Sequence, residues 1–108
     1  MCTQDHVQEI LHTVTDAARD RYGMLLQCVI LYGSYARGDY DEESDIDVLV
    51  LVKQAQQDPF PFADIAAALL LQYGVLVSIV VKDTAQFEKY KDILPYYQAI
   101  QKEGIVYG

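Results

Sequence analysis

The chain has 108 residues, 52% of them apolar, and a net charge of −8. That is the size of one domain with a real core and leaves little room for a second domain to grip a large substrate. Eight Lys and Arg stand against sixteen Asp and Glu, which argues against direct binding of a nucleic-acid backbone, because counterion displacement needs basic side chains.

The N-terminal residues carry no basic segment followed by a long apolar one, and no apolar run approaches the roughly 18 residues of a membrane span. The expected location is the cytoplasm, away from any membrane. Cys2 and Cys28 lack metal-type spacing and read as free thiols of a reducing compartment.

From Asp5 to Tyr22, apolar residues at Val7, Ile10, Leu11, Val14, Ala17 and Ala18 follow helical spacing against a polar face. Thr3 or Asp5 can cap that helix and Gly23 can end it. Leu25 to Tyr32 (LLQCVILY) reads as a buried strand that Gly33 stops. Ser34 can cap a short helix through Tyr35 to Arg37, and Gly38 ends it.

Asp45 to Lys53 (DIDVLVLVK) is a second strand, apolar on both faces, as suits a central strand covered by helices. Pro59 and Pro61 mark a loop, and Phe62 to Tyr73 follows as a helix closed by Gly74. Val75 to Val81 (VLVSIVV) is the third strand. Asp83 or Thr84 starts a polar helix through Lys91, and a last helical piece from Tyr96 to Lys102 ends at Gly104. The order predicts one α/β (α+β) domain over residues 1–108, with a small mixed sheet of about three core strands and helices packed on it.

Chemistry concentrates in one stretch, LYGSYARGDYDEESDIDVLVLV, where ten residues separate Gly33-Ser34 from Asp45. Asp45 and Asp47 stand two apart on a strand, so their side chains share a face. Two close carboxylates repel unless a cation joins them, and magnesium favours one or two carboxylates with water and phosphate oxygens. Gly33 permits close backbone approach to a ligand. A helix beginning at Ser34 would turn its N–H groups toward an anion, and Arg37, one turn along, can neutralise phosphate charge or pair with the acidic loop. A Gly-Ser turn alone is ordinary, and so is an acid pair at a strand mouth. Together, at this gap and between these strands, they form a cradle for a triphosphate and its metal.

GSYARGDYDEESDIDVLV resembles the signature of the DNA polymerase β-type nucleotidyltransferase superfamily, over about a fifth of the chain. Given the short length, it is most similar to the minimal nucleotidyltransferases, the MNT antitoxins of HEPN–MNT toxin–antitoxin pairs. The resemblance implies a nucleotidyltransferase-like fold in which Gly33 and Ser34 bind the triphosphate and Asp45 and Asp47 bind Mg2+. It also implies transfer of AMP from ATP to a hydroxyl, with pyrophosphate leaving and a tyrosine of a partner HEPN toxin as acceptor. Such transfer needs positioning and charge neutralisation more than covalent help from the protein. In a two-metal arrangement the ions stabilise the attacking and leaving oxygens.

One element departs from the superfamily pattern. A third acid is usual on the next strand, and here the polar residue of that strand is Ser78, a poor magnesium ligand and a poor base. Asp83 lies five residues on, roughly 16 Å away in extended geometry, too far to replace it. The second metal site is therefore doubtful, and slow or partner-assisted catalysis, or nucleotide binding without turnover, is expected. The competing reading is an antitoxin that neutralises its toxin by contact alone. A small-molecule nucleotidyltransferase ranks last, because the chain has no room for an acceptor-holding domain. Both a homodimer and a hetero-oligomer remain open.

Other candidates carry less. His6 and His12 share no helix face and lack a third ligand. Among nine tyrosines, Tyr32 and Tyr35 flank the turn, Tyr35 being the more open and the better placed to stack on a base. Tyr90, Tyr96, Tyr97 and Tyr107 can form a partner-facing aromatic patch or fold back on the sheet.

Overall fold

A computed structural model describes residues 4–41, 43–54 and 62–107. Cys2, the candidate cap Thr3 and the loop at Pro59 and Pro61 lie outside the described residues. The first helix, α1, spans Gln4–Tyr22. It buries Val7, Ile10, Leu11, Val14 and Ala18, the apolar stripe that the spacing predicts. A 3-10 turn at Gly23–Leu25 leads into β1, Leu26–Tyr32. Next come the short helix α2, Ser34–Arg37, and the strand β2, Ile46–Val52. The chain continues through α3 (Ala63–Tyr73), β3 (Val77–Asp83), α4 (Thr84–Tyr90), α5 (Pro95–Glu103) and β4 (Ile105–Val106).

The sheet order is β3-β2-β1-β4. β1 runs antiparallel to β2 and to β4, while β2 and β3 are parallel. A parallel pair needs a crossover between its strands, and α3 lies in that connection. In β2 every residue but Asp47 is buried, because neighbours flank it on both edges and helices cover both faces.

Two sequence expectations shift. The sheet has four strands rather than about three, since Ile105 and Val106 pair with Leu31 and Ile30. Both are exposed, and two residues are too few to show a strand period. The third strand also begins and ends two residues later than Val75–Val81. Its register is set by parallel pairing from Ile46↔Val77 through Val52↔Asp83, and the Leu76 carbonyl already accepts from the Ile46 N–H at 2.9 Å.

The two faces carry separate cores. On one, α1 and α3 pack with Val29, Leu31, Val48, Val50 and Val77. On the other, Phe87 of α4 and Tyr97 and Ile100 of α5 cover Ile30, Leu49 and Leu51. Each such aliphatic side chain contributes about 1.5–3 kcal/mol on burial. Strand alternation places Asp47 on the face of Leu49 and Leu51. The carboxylate therefore sits at the open end of the layer built by α4 and α5.

Candidate active site

The turn after β1 is shaped by one glycine. Gly33 has φ +78° and ψ −157°, a region that only glycine adopts without strain. A Cβ at Gly33 would run into the Asp47 carboxylate. The turn and the acid therefore lie against each other, which brings the two halves of the sequence signature into contact.

The Gly33 carbonyl accepts from the N–H groups of Ala36 and Arg37, each at 3.1 Å. Gly33, not Ser34, is thus the N-cap of α2, and no side chain makes a cap bond there. This corrects the expectation that Ser34 caps the helix. Ser34 is the first helical residue, and its half-buried hydroxyl is not spent on capping. Gly38, at φ +84°, ends α2 as its position predicts.

Asp45 directly precedes β2 and is exposed, whereas Asp47, inside it, is half-buried. Burial pushes the Asp47 carboxyl above the usual carboxylate range, the Asp45 charge pushes it further, and the Arg37 charge pulls it back. A cation between the acids would favour the ionised form and offset both effects. Among the described residues, no group of three or more His, Cys, Asp or Glu side chains is placed to hold a metal ion. The pair supplies only hard oxygen donors. That donor set fits Mg2+, which takes its remaining ligands from water and phosphate.

Asp47 has a hydroxyl-bearing neighbour on each adjoining strand: Tyr32 on β1 and Ser78 on β3. Ser78 thus stands in register with Asp47, in the place where a third acid would stand. Asp83 does not substitute for it. It ends β3, and its carboxylate accepts from the N–H groups of Ala85 at 2.8 Å and Gln86 at 3.3 Å, capping α4.

Arg37 donates through Nε to Asp39 at 3.0 Å and through Nη1 to Glu103 at 3.1 Å. Those two carboxylates raise its already high pKa. Within the acidic loop, Asp41 accepts from the Glu43 N–H and the Ser44 hydroxyl. It orders the turn rather than facing the site.

Two participants were not visible in the sequence. The Tyr96 hydroxyl on α5 meets the Tyr32 hydroxyl at 2.8 Å, and the rings contact edge to face. Burial raises both phenols, and the Asp47 charge raises each a little more. Glu103 reaches Arg37 from the end of α5. Both contacts span more than sixty residues, so no local pattern announces them.

Tyr35, expected to be open, is buried and stacked on Tyr40 with ring centroids 4.2 Å apart, which removes it as a base-stacking platform. Of the C-terminal tyrosines, Tyr97 is buried against the sheet and Tyr90 packs on the same core. Tyr107 packs on the opposite core, and Tyr96 stays 41% exposed. His12 pairs with Asp16 at 3.1 Å and His6 lies against Tyr73.

The family model described as the nucleotidyltransferase domain matches residues 11–106. A Methanocaldococcus jannaschii protein with the provisional name protein adenylyltransferase is 34% identical over 92% of this chain and 95% of its own. Among solved structures, the chain is similar to one from a toxin–antitoxin complex with AMP-PNP. The TM-score there is 0.59 at 23% identity, covering 88% of this chain and 69% of that one. It is also similar to a chain from the complex of tri-AMPylated Shewanella oneidensis HEPN toxin with MNT antitoxin. That TM-score is 0.51 at 20% identity, with 92% and 70% covered. At such identities these two likenesses carry the fold.

Proposed function

The chain belongs to the nucleotidyltransferase domain family, and from that membership we propose that it is a Mg2+-dependent protein adenylyltransferase. It takes ATP, transfers AMP to a tyrosine hydroxyl of a HEPN-type toxin, and so acts as that toxin's antitoxin in the cytoplasm. The observation that carries this reading is the contact between Gly33 and Asp47. It supports the reading because the turn assigned to the triphosphate lies against the carboxylate assigned to its metal. The relative named as a protein adenylyltransferase and the structural neighbour with AMP-PNP support the choice of nucleotide and acceptor class.

Each residue has a role in this reading. Gly33 lets phosphate oxygens approach the backbone, and Ser34 offers its hydroxyl to them. Asp45 and Asp47 would hold Mg2+, which would supply charge neutralisation for the triphosphate and the leaving pyrophosphate. Arg37 adds positive charge at the same turn, once it exchanges a carboxylate partner for phosphate. The acceptor side is thinner. Ser78 neither ionises at neutral pH nor holds a metal well, so activation of the acceptor falls to the partner or goes slowly.

The register of Ser78 beside Asp47 favours a second reading, an antitoxin that binds nucleotide and toxin but transfers weakly or not at all. One experiment separates the two. The protein is mixed with its neighbour-encoded partner, Mg2+ and ATP labelled at the α-phosphate, and the partner is mapped by mass spectrometry. AMP on a partner tyrosine supports the enzyme. An unmodified but neutralised partner leaves the contact antitoxin.

A further inference from the structure

Tyr32 stands opposite Asp47 on the neighbouring strand, and the Tyr96 hydroxyl reaches over from α5 to meet the Tyr32 hydroxyl at 2.8 Å. Tyr96 is 41% exposed, while Tyr35 and Tyr97 are buried and the Tyr73 hydroxyl donates to Glu9 at 2.7 Å. A solvent-accessible phenol thus projects beside the acid pair, on the flank where the Gly33 turn would hold the triphosphate.

We propose that the chain adenylylates its own Tyr96 when no partner offers an acceptor hydroxyl. The inference rests on the adenylyltransferase reading above and adds a modification site to it. Tyr96 Oη attacks the α-phosphorus of ATP. The new bond joins Oη to that phosphorus, and the bond from the α-phosphorus to the bridging oxygen of the β-phosphate breaks. The electron pair leaves with pyrophosphate, and the phenol proton passes to water. Burial keeps the Tyr96 phenol protonated, so self-transfer is slow. Tyr32 is a positioning residue. Its hydroxyl fixes the Tyr96 ring over the site, and its own side chain is the less open of the two.

The test incubates the protein alone, and separately with its neighbour-encoded partner, in Mg2+ and ATP labelled at the α-phosphate. Intact mass and peptide mapping are the readouts. Expected is one AMP on Tyr96 in the protein alone, at least about tenfold less label in Tyr96→Phe, and less label on Tyr96 when the partner is present. Tyr32→Phe should keep the label on Tyr96 but lower its rate. Asp47→Asn should abolish it. Tyr96→Phe removes one oxygen from a partly exposed ring, and an unchanged melting temperature confirms that it folds. A labelled partner with an unlabelled chain overturns the self-transfer and leaves the adenylyltransferase reading standing. Label on Ser34, Ser78 or another tyrosine also overturns it. No label on either protein overturns both.

Discussion

On the β1 flank of Asp47 the chain supplies a glycine turn in contact with the carboxylate, a pair of phenols and an arginine. On the β3 flank it supplies one serine hydroxyl in register. The β1 flank is closed in by α2 and α5, whereas β3 ends the described sheet. The contrast teaches that holding a nucleotide and activating an acceptor are separable tasks, placed on opposite sides of a single strand. In the proposed function the β1 flank carries the residues assigned to the nucleotide, while the β3 flank offers an acceptor only the Ser78 hydroxyl.

The largest effect should come from the residue both flanks share. Asp47→Asn is expected to lower AMP transfer to the partner at least about 100-fold, the scale of removing a charge-stabilising group from a transition state. Unchanged transfer would discard the metal-held mechanism. The same variant should be slightly more stable at neutral pH. The folded carboxyl sits above its unfolded value, so the ionised form costs stability at pH 7, and that cost fades as pH falls through the raised folded pKa. Because Asp47 is only half-buried, the gain in melting temperature should stay under about 3 °C. It should vanish by roughly pH 4, near the unfolded carboxylate value. Melting curves across that range check the sign.

Gly33→Ala strikes the nucleotide flank alone. The backbone conformation costs an L-residue about 1–3 kcal/mol, and the added Cβ displaces the Asp47 carboxylate. We expect a fall in melting temperature of roughly 5–15 °C and at least about tenfold weaker ATP binding by calorimetry. Binding at wild-type strength would show that the turn is not the phosphate seat.

Ser78→Asp sharpens the opposite flank. If the missing acid limits transfer, restoring it in register with Asp47 should raise the rate about tenfold, below the roughly 100-fold or more of a fully positioned base. It should also push the Asp47 carboxyl higher still in the absence of cation. An unchanged rate at intact folding would place the limit in the partner rather than in β3.

The smallest effect belongs to Arg37→Ala. Its exposed guanidinium is engaged by the exposed Asp39 and the half-buried Glu103, and pairs so open to solvent contribute little. ATP affinity should drop about threefold at low salt, and the difference should shrink as ionic strength rises. Glu103→Gln should leave affinity level or slightly better, because it frees Arg37 for phosphate.

Much of this was legible along the chain. The stripe from Val7 to Ala18, the two-sided apolar run of β2, and the pairing of Gly33-Ser34 with Asp45 and Asp47 are all local patterns. Each follows from the period of a helix or strand, or from a glycine between a strand and a helix. The place of Ser78 was readable as the polar break in an apolar strand, and the parallel register puts it beside Asp47.

Other features were not legible, for definite reasons. β4 is two exposed residues whose strand identity comes only from pairing with β1. Tyr35 is buried because Tyr40 stacks on it and the core of α1 receives it, and nothing in the turn sequence says so. The cap of α2 is a backbone carbonyl of Gly33, which has no side-chain signature.

The amino-acid sequence by itself determined the helices, the three longer strands to within about two residues, and the family, because those depend on spacing within some twenty residues. Only the tertiary structure decided what surrounds them: the Gly33 contact with Asp47, the Tyr96 phenol over Tyr32, and the Glu103 clasp on Arg37. The first arises where β1 pairs with β2, and the other two where α5 folds back across the sheet. Buried apolar area chooses that docking, and while local order shows which face of an element is buried, it does not show which distant element covers that face.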